Sequence, residues 1–166
     1  MRPVVGLTLR LKATRLFSTA RPHLVRNRVY TTVRTPDELH TLLLLSSSSH
    51  VPLITFWTMS WLSQSRTSLA KSLVEDEGVG EVEGGVGYVE VEMDAPTIHG
   101  LDIQYGINAV PTVLAFSRNE PQYSTMLTEK SDINNKQTLR SWIEDEAKRG
   151  SKGGAGGSFF DLFGKS

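Results

Sequence analysis

The chain of 166 residues contains no cysteine, which sets the first limit on the chemistry that it can perform. Thiolate nucleophiles, disulfides, iron–sulfur clusters and zinc sites built on cysteine are excluded. The histidines His40, His50 and His99 are scattered and lack partners at metal-ligand spacing. We therefore expect neither a metal ion nor a cofactor.

A stretch rich in carboxylates and glycines, residues 75–87, is the next candidate for chemistry. Its acidic side chains do not have the spacing of an EF-hand calcium loop. Its glycines are not followed by the Lys-Ser/Thr pair of a phosphate-binding loop, and the neighbouring carboxylates would repel phosphate. The composition indicates a solvated surface loop.

Two other stretches place tryptophan and proline where a binding site could form. The apolar, β-branched run 51–57 ends in Trp57, and Trp61 follows four residues later. Downstream, Val110 and Pro111 directly precede a second apolar run. Both runs are typical of buried strands, and tryptophan is favoured at binding surfaces.

These two stretches resemble the active-site segment and the proline loop of thioredoxins. The tryptophan pair that ends in Trp61 is similar to the residues that lead into the thioredoxin active site, and residues 106–112 are similar to the family's cis-proline loop. The similarity covers roughly residues 31–149. It implies a thioredoxin fold in which the Val110–Pro111 peptide bond is cis and faces Trp61.

Four positions depart from the thioredoxin pattern. Leu62 stands in place of the attacking cysteine, and Ser65 in place of the resolving one. Thr55 replaces the family's buried aspartate, and Glu90 replaces its nearby lysine. Exchange requires a thiolate that attacks a disulfide and a second thiol that resolves the mixed disulfide. The resemblance therefore implies vestigial positions rather than a catalytic site, and we expect no enzymatic thiol–disulfide exchange.

Trp61, Val110 and Pro111 have two interpretations. The fold packs around residues of these types, so they can persist for structural reasons alone. Alternatively, they still border a shallow apolar groove, which in thioredoxins accepts an extended partner segment through backbone hydrogen bonds beside the proline.

The surrounding sequence predicts the elements that would position these residues. Hydrophobic periodicity, capping residues and turn signals define alternating helices and strands, with a final hairpin before the last helix. The predicted helices are 35–45 (capped by Thr35), one within 58–77, 94–106, and 136–149 (capped by Asn134 or Asn135); the predicted strands are 51–57, 88–93, 113–116 and 122–127, with a further strand near the start of the domain. This order predicts an α/β thioredoxin fold, with a central mixed sheet flanked by helices on both faces.

The first 30 residues have the composition of a mitochondrial transit peptide. They hold seven basic side chains and no acidic one, and residues 4–17 could form a basic amphipathic helix. Two sites resemble the matrix-processing pattern, with cleavage before Ser18 or before Thr31. We expect import into the mitochondrial matrix; the alternative is a disordered basic arm that binds an acidic partner.

The rest of the chain differs sharply in charge. Since seven of the 18 basic side chains lie within residues 1–30, the other 136 residues carry 11 basic against 18 acidic ones, a net charge of −7. An acidic body argues against nucleic-acid binding, and no apolar run approaches the length of a membrane span. We therefore expect a protein partner.

The C-terminal segment 150–166 consists of a glycine-rich linker and an apolar patch formed by Phe159, Phe160, Leu162 and Phe163. This patch could dock onto the domain or onto a partner, and a frayed end is the alternative. Together with the domain at 31–149, the sequence predicts a redox-inactive thioredoxin-like protein that acts by binding another protein, as an accessory subunit or a chaperone-like adaptor. The alternative function is a thioredoxin-type oxidoreductase in redox homeostasis, which the absence of cysteine disfavours.

Overall fold

The computed structural model describes residues 25–63 and 68–152, with the backbone alone at Ser63. Five strands form one mixed sheet in the order β1-β3-β2-β4-β5. Strands β1, β3 and β2 are parallel, whereas β4 is antiparallel to β2 and β5 is antiparallel to β4. The strands are β1 (Arg28–Val29), β2 (Leu53–Thr58), β3 (Gly87–Glu92), β4 (Thr112–Ser117) and β5 (Glu120–Pro121).

Helices cover both faces of this sheet, as the sequence predicts. They are α1 (Pro36–Ser49), α2 (Ser60–Ser63), α3 (Leu69–Glu75), α4 (Leu101–Gln104), α5 (Lys130–Ile133) and α6 (Lys136–Lys152). On one face, α3 and α6 bury Leu73 and Ile143 against the sheet. On the other face, α1 and α4 bury Leu43 and Leu101 against Trp57 of β2. None of the helices within the described ranges is both long and apolar enough to cross a bilayer.

Helix α1 begins as predicted but ends later. Thr35 and Glu38 form a capping box, in which each side chain accepts a hydrogen bond from the other residue's backbone N–H. The predicted end near residue 45 is wrong, because the helix continues through the serine run to Ser49. Serine is only a moderately poor helix former, and here the hydroxyls of Ser48 and Ser49 donate to the carbonyls of Leu45 and Ser46. His50, at φ 57, ends the helix in a left-handed conformation.

Three other predicted elements need correction. The helix predicted over 94–106 is reduced to α4, because His99 and Gly100 both have positive φ and interrupt the turns before it. The helix predicted within 58–77 is two helices, α2 and α3. The strand predicted over 122–127 is mostly a 3₁₀ turn at Tyr123–Thr125, held by a hydrogen bond from the Trp142 indole to the Thr125 carbonyl. The predicted caps of the last helix resolve to Asn135, whose Oδ1 accepts from two backbone N–H groups.

The sheet also includes residues that precede the predicted domain start at 31. Strand β1 pairs with the beginning of β3, and the Arg28 N–H donates to the Val86 carbonyl at 3.0 Å. Just before β1, the Asn27 side chain makes three hydrogen bonds to the backbone of residues 74, 79 and 86. The folded domain therefore includes residues 27–30.

Candidate functional site

The strand pairing brings the two sequence-predicted stretches together at one end of the sheet, where β2 ends and β4 begins. Trp57 lies opposite Thr112 in the antiparallel pair β2–β4, so the chain leaving β2 and the chain entering β4 meet at this end. Between them lies a cleft of about 830 Å³. Trp61, Leu62, Val110 and Pro111 all line it, so the two stretches contribute to one surface.

Trp61 lies on α2 and is the most exposed tryptophan, with 66% of its surface accessible. The position of α2 is fixed from another element by Asp94, which follows β3. Its carboxylate accepts hydrogen bonds from the Ser60 N–H at 2.7 Å and from the Ser60 hydroxyl at 2.6 Å. These bonds lower the pKa of Asp94, so the cap is ionised at neutral pH. The helix that carries the exposed indole is therefore anchored at its first residue.

The opposite wall of the cleft begins with the loop before β4. The Val110–Pro111 peptide bond is cis, as the resemblance to thioredoxins implies. The Thr112 hydroxyl donates to the Ala109 carbonyl at 2.8 Å and closes this loop. In the described part of the chain, neither the N–H nor the C=O of Val110 takes part in a hydrogen bond.

Three polar side chains form a cluster at one side of the cleft. The Ser68 and Tyr88 hydroxyls lie 2.6 Å apart, so one donates to the other, and the second proton is available to Oε1 of Glu90, which lies 3.1 Å from Ser68 and 3.3 Å from Tyr88. Tyr88 is only 1% exposed, and its burial, followed by the charge of Glu90, holds its pKa well above the ordinary value. Ser68 also caps α3 by accepting from the Lys71 N–H at 3.2 Å. Glu90, the residue at the vestigial lysine position, therefore lies in the cleft as a carboxylate held by neutral hydroxyls.

Sequence reasoning missed the remaining walls. Leu69 of α3 and Asp76, the residue directly after that helix, line one side, and Lys130 and Ile133 line the cleft from α5. The capping serine before α3 was a readable signal, because Ser68 precedes an apolar helical pattern. No comparable signal marked α5, a helix of four residues after the last hairpin. Its place beside the cleft depends on the order in which the strands pair, which the local sequence does not display.

Thr55 does not belong to the cleft. It is buried in β2, where its hydroxyl donates to the Leu114 carbonyl at 2.8 Å and accepts from the Trp57 indole N–H at 2.8 Å. Both bonding capacities of the side chain are used within the core, which leaves no group there for proton transfer.

Two sets of sequence-predicted residues lie outside the described ranges. They are Ser65, at the second vestigial cysteine position, and the apolar tail residues Phe159, Phe160, Leu162 and Phe163. Within the described ranges, no three potential metal ligands among histidines and carboxylates come together.

The fold and the cleft can now be compared with known proteins. No protein-family model matches the sequence, and no curated protein is significantly similar to it. Solved structures do match. A thioredoxin from Nicotiana alata superposes with a TM-score of 0.50 at 13% identity, over 74% of this chain and 95% of that one. Thioredoxin O1 from Arabidopsis thaliana matches at 0.51 and 17% identity, over 72% and 97%.

A poplar thioredoxin h mutant matches with a TM-score of 0.53 at 18% identity, over 76% of this chain and 89% of that one. The chain thus has the thioredoxin fold, an α/β fold with a central mixed sheet. Because it contains no cysteine, it is a thioredoxin-like protein without the thiols of thioredoxin redox chemistry. It cannot form the mixed disulfide on which that exchange depends.

Proposed function

We propose that this protein is a non-enzymatic binding protein, which holds an extended segment of a partner protein in the cleft beside Trp61. The observation that carries the proposal is the exposed indole of Trp61 at the border of an apolar cleft. Exposed tryptophans next to apolar pockets are favoured anchors of protein interfaces. The role is that of an accessory subunit or an adaptor.

The backbone at Val110 supports an extended ligand. Its N–H and C=O are without hydrogen bonds in the described part of the chain, so they are free to pair with a strand-like segment. The side chains of such a segment would alternate between the cleft and solvent, because successive residues of a strand point to opposite sides. A cleft of about 830 Å³ has room for more than one side chain.

A random-sequence peptide library selected on the purified domain, residues 25–166, tests this proposal. Peptides that bind the native protein should lose binding to Trp61→Ala, and should keep it with Tyr123→Ala, which removes an exposed aromatic ring outside the cleft. In a ¹H–¹⁵N spectrum, these peptides should shift the signals of Trp61 and Val110. If no enriched peptide depends on Trp61, the cleft is not a binding site.

The same selection separates an adaptor from a chaperone-like holdase. An adaptor enriches peptides that share a pattern, whereas a holdase enriches apolar peptides without one. For the oxidoreductase alternative, nothing within residues 25–63 and 68–152 provides a substitute for the missing thiols.

We further propose that the protein acts in the mitochondrial matrix. The support is the composition of the N-terminal segment, with its seven basic and no acidic side chains. Residues 1–30 fused to a fluorescent reporter should direct it to mitochondria, and an arginine-to-glutamine version of the same segment should not. Diffuse cytosolic fluorescence of the unaltered fusion would contradict the proposal.

The apolar tail is proposed as a second contact with the partner. Its support is the spacing of three phenylalanines and a leucine within residues 159–163, after a glycine-rich linker. Deletion of residues 153–166 should weaken binding of the natural partner but leave the binding of cleft peptides unchanged. Equal affinity for the partner with and without the tail would show that the tail is not a contact.

A further inference from the structure

We infer that the cleft selects a partner segment with an arginine or lysine side chain, placed between the Trp61 indole and the Glu90 carboxylate. This inference rests on the proposed function and names the chemistry of its ligand. It arises from the Glu90 carboxylate, which has no charged partner in the part of the chain that the structure describes.

Glu90 is a half-buried residue in the middle of β3 and lines the cleft. Its Oε1 faces both possible hydroxyl donors, Ser68 at 3.1 Å and Tyr88 at 3.3 Å. Within residues 25–63 and 68–152, Oε2 accepts none, and no lysine or arginine nitrogen lies within 4.0 Å of the carboxylate. The two donors are neutral, so they orient the carboxylate without cancelling its charge. A half-buried carboxylate in this state favours a cation brought by a ligand.

The other charges of the cleft do not reverse this preference. Asp76 adds a second carboxylate, which accepts from the Ser72 hydroxyl at 2.8 Å, and Lys130 adds one ammonium group. Lys130 is exposed, so water screens its charge more than that of the half-buried Glu90. Asp76 is exposed as well, so its charge offsets that of Lys130, and the half-buried carboxylate of Glu90 gives the cleft a net negative charge that favours a cationic segment over an acidic or phosphorylated one.

The apolar walls suit the remainder of a long basic side chain. The exposed face of Trp61 can receive a guanidinium or ammonium group as a cation–π partner. Leu62 and Leu69 with Val110 and Pro111 supply the surface against which its methylene groups pack. Arginine should exceed lysine, because its planar head can stack on the indole while it donates to Oε2 of Glu90.

The test is a parallel selection of the same random-peptide library on three versions of residues 25–166. These are the native protein, Glu90→Gln and the control Glu120→Gln. The control removes one exposed carboxylate on β5, so it changes the net charge by the same amount as Glu90→Gln. Strand β5 pairs with the end of β4 that is opposite to Pro111, so the control lies away from the cleft. Arginine and lysine should be enriched at one peptide position on the native protein and on the control, but not on Glu90→Gln.

An enriched peptide is then synthesised with arginine or with citrulline, its neutral isostere, at that position. On the native protein, arginine should bind about fivefold to tenfold tighter, as expected for a partly desolvated ion pair combined with a cation–π contact. On Glu90→Gln the two peptides should bind equally.

The outcomes separate this inference from the proposed function. Peptides that depend on Trp61 but show no basic position would overturn the inference alone, and so would enrichment of acidic positions. Absence of any peptide that depends on Trp61 would overturn both. Arg66, which follows the vestigial position Ser65, lies outside the described residues. A preference for arginine that emerges only in Arg66→Ala would also refute a cation supplied by the partner.

Discussion

Asn27 offers the sharpest test of where the folded domain begins. Its Nδ2 donates to the Val74 carbonyl at 3.0 Å and to the Val79 carbonyl at 2.9 Å, and its Oδ1 accepts from the Val86 N–H at 3.0 Å. One side chain thereby ties the residue before β1 to the end of α3 and to the residue before β3. The substitution Asn27→Ala removes all three bonds but leaves the backbone pairing of β1 in place.

The expected cost follows from these three bonds. A typical intramolecular hydrogen bond contributes about 0.5–1.5 kcal/mol net, and the three bonds of Asn27 are only partly buried, so water can replace some of them. We expect Asn27→Ala to lower the free energy of unfolding by about 2 kcal/mol. For a domain of this size the melting temperature would fall by roughly 6–10 °C.

Urea denaturation of residues 25–152, followed by circular dichroism, measures this effect. Asn27→Asp keeps the acceptor for Val86 but removes both donors and adds a carboxylate near that of Glu81, so it should destabilise at least as much at neutral pH. Asn108→Ala is the matched control, because this exposed side chain makes no hydrogen bond within the described residues, and it should cost less than about 0.5 kcal/mol. A loss below about 0.5 kcal/mol for Asn27→Ala would refute the reasoning.

Four further predictions follow from the structure. Mass spectrometry of the mature protein should find Ser18 rather than Thr31 at the N-terminus, because cleavage before residue 31 would remove β1 and Asn27. Insulin-disulfide reduction with thioredoxin reductase and NADPH should not exceed the buffer blank, since the chain holds no thiol. Asp94→Ala should cost about 1 kcal/mol of stability, as for loss of a helix cap, and should shift the indole signal of Trp61; an unchanged signal would show that the cap does not position it. Burial raises the pKa of Glu146, whose side chain is 1% exposed. Because the folded protein favours the protonated carboxyl, this group contributes free energy of unfolding at low pH and loses that contribution as pH rises through the raised pKa. The free energy of unfolding of native protein minus that of Glu146→Gln should therefore increase as pH is lowered from 7 towards 4.5, the ordinary glutamate value; a constant difference would contradict the shift.

The sequence predicted the layers of the fold well because they depend on local patterns. Alternating apolar runs and capped helices require a covered sheet, and the structure places Leu73 and Leu43 on opposite faces of it. One of the predictions failed because a tertiary contact outweighs the local pattern. The segment before Leu127 reads as a strand, but α6 binds its backbone through Trp142 and its Thr125 hydroxyl through Glu146.

The candidate site was predictable in part for the same reason. Trp61 and the Val110–Pro111 loop carry motifs that the sequence displays directly. Lys130 does not, because it reaches the cleft only through the order in which the strands pair. Likewise, Glu90 could be matched to a thioredoxin position, but its hydrogen bonds to Ser68 and Tyr88 depend on packing across elements.

The two positions that replace charged residues of thioredoxins both bear on the proposed binding role of the cleft. At Thr55, in the closed core, the replacement is neutral, and its hydroxyl donates one hydrogen bond and accepts another. That is the expected result where a buried charge would have no partner and would only destabilise the protein. At Glu90, in the open cleft, the replacement is charged, and two hydroxyl groups orient it. Packing alone gives no reason to keep a half-buried carboxylate there, whereas recognition of a cationic ligand does.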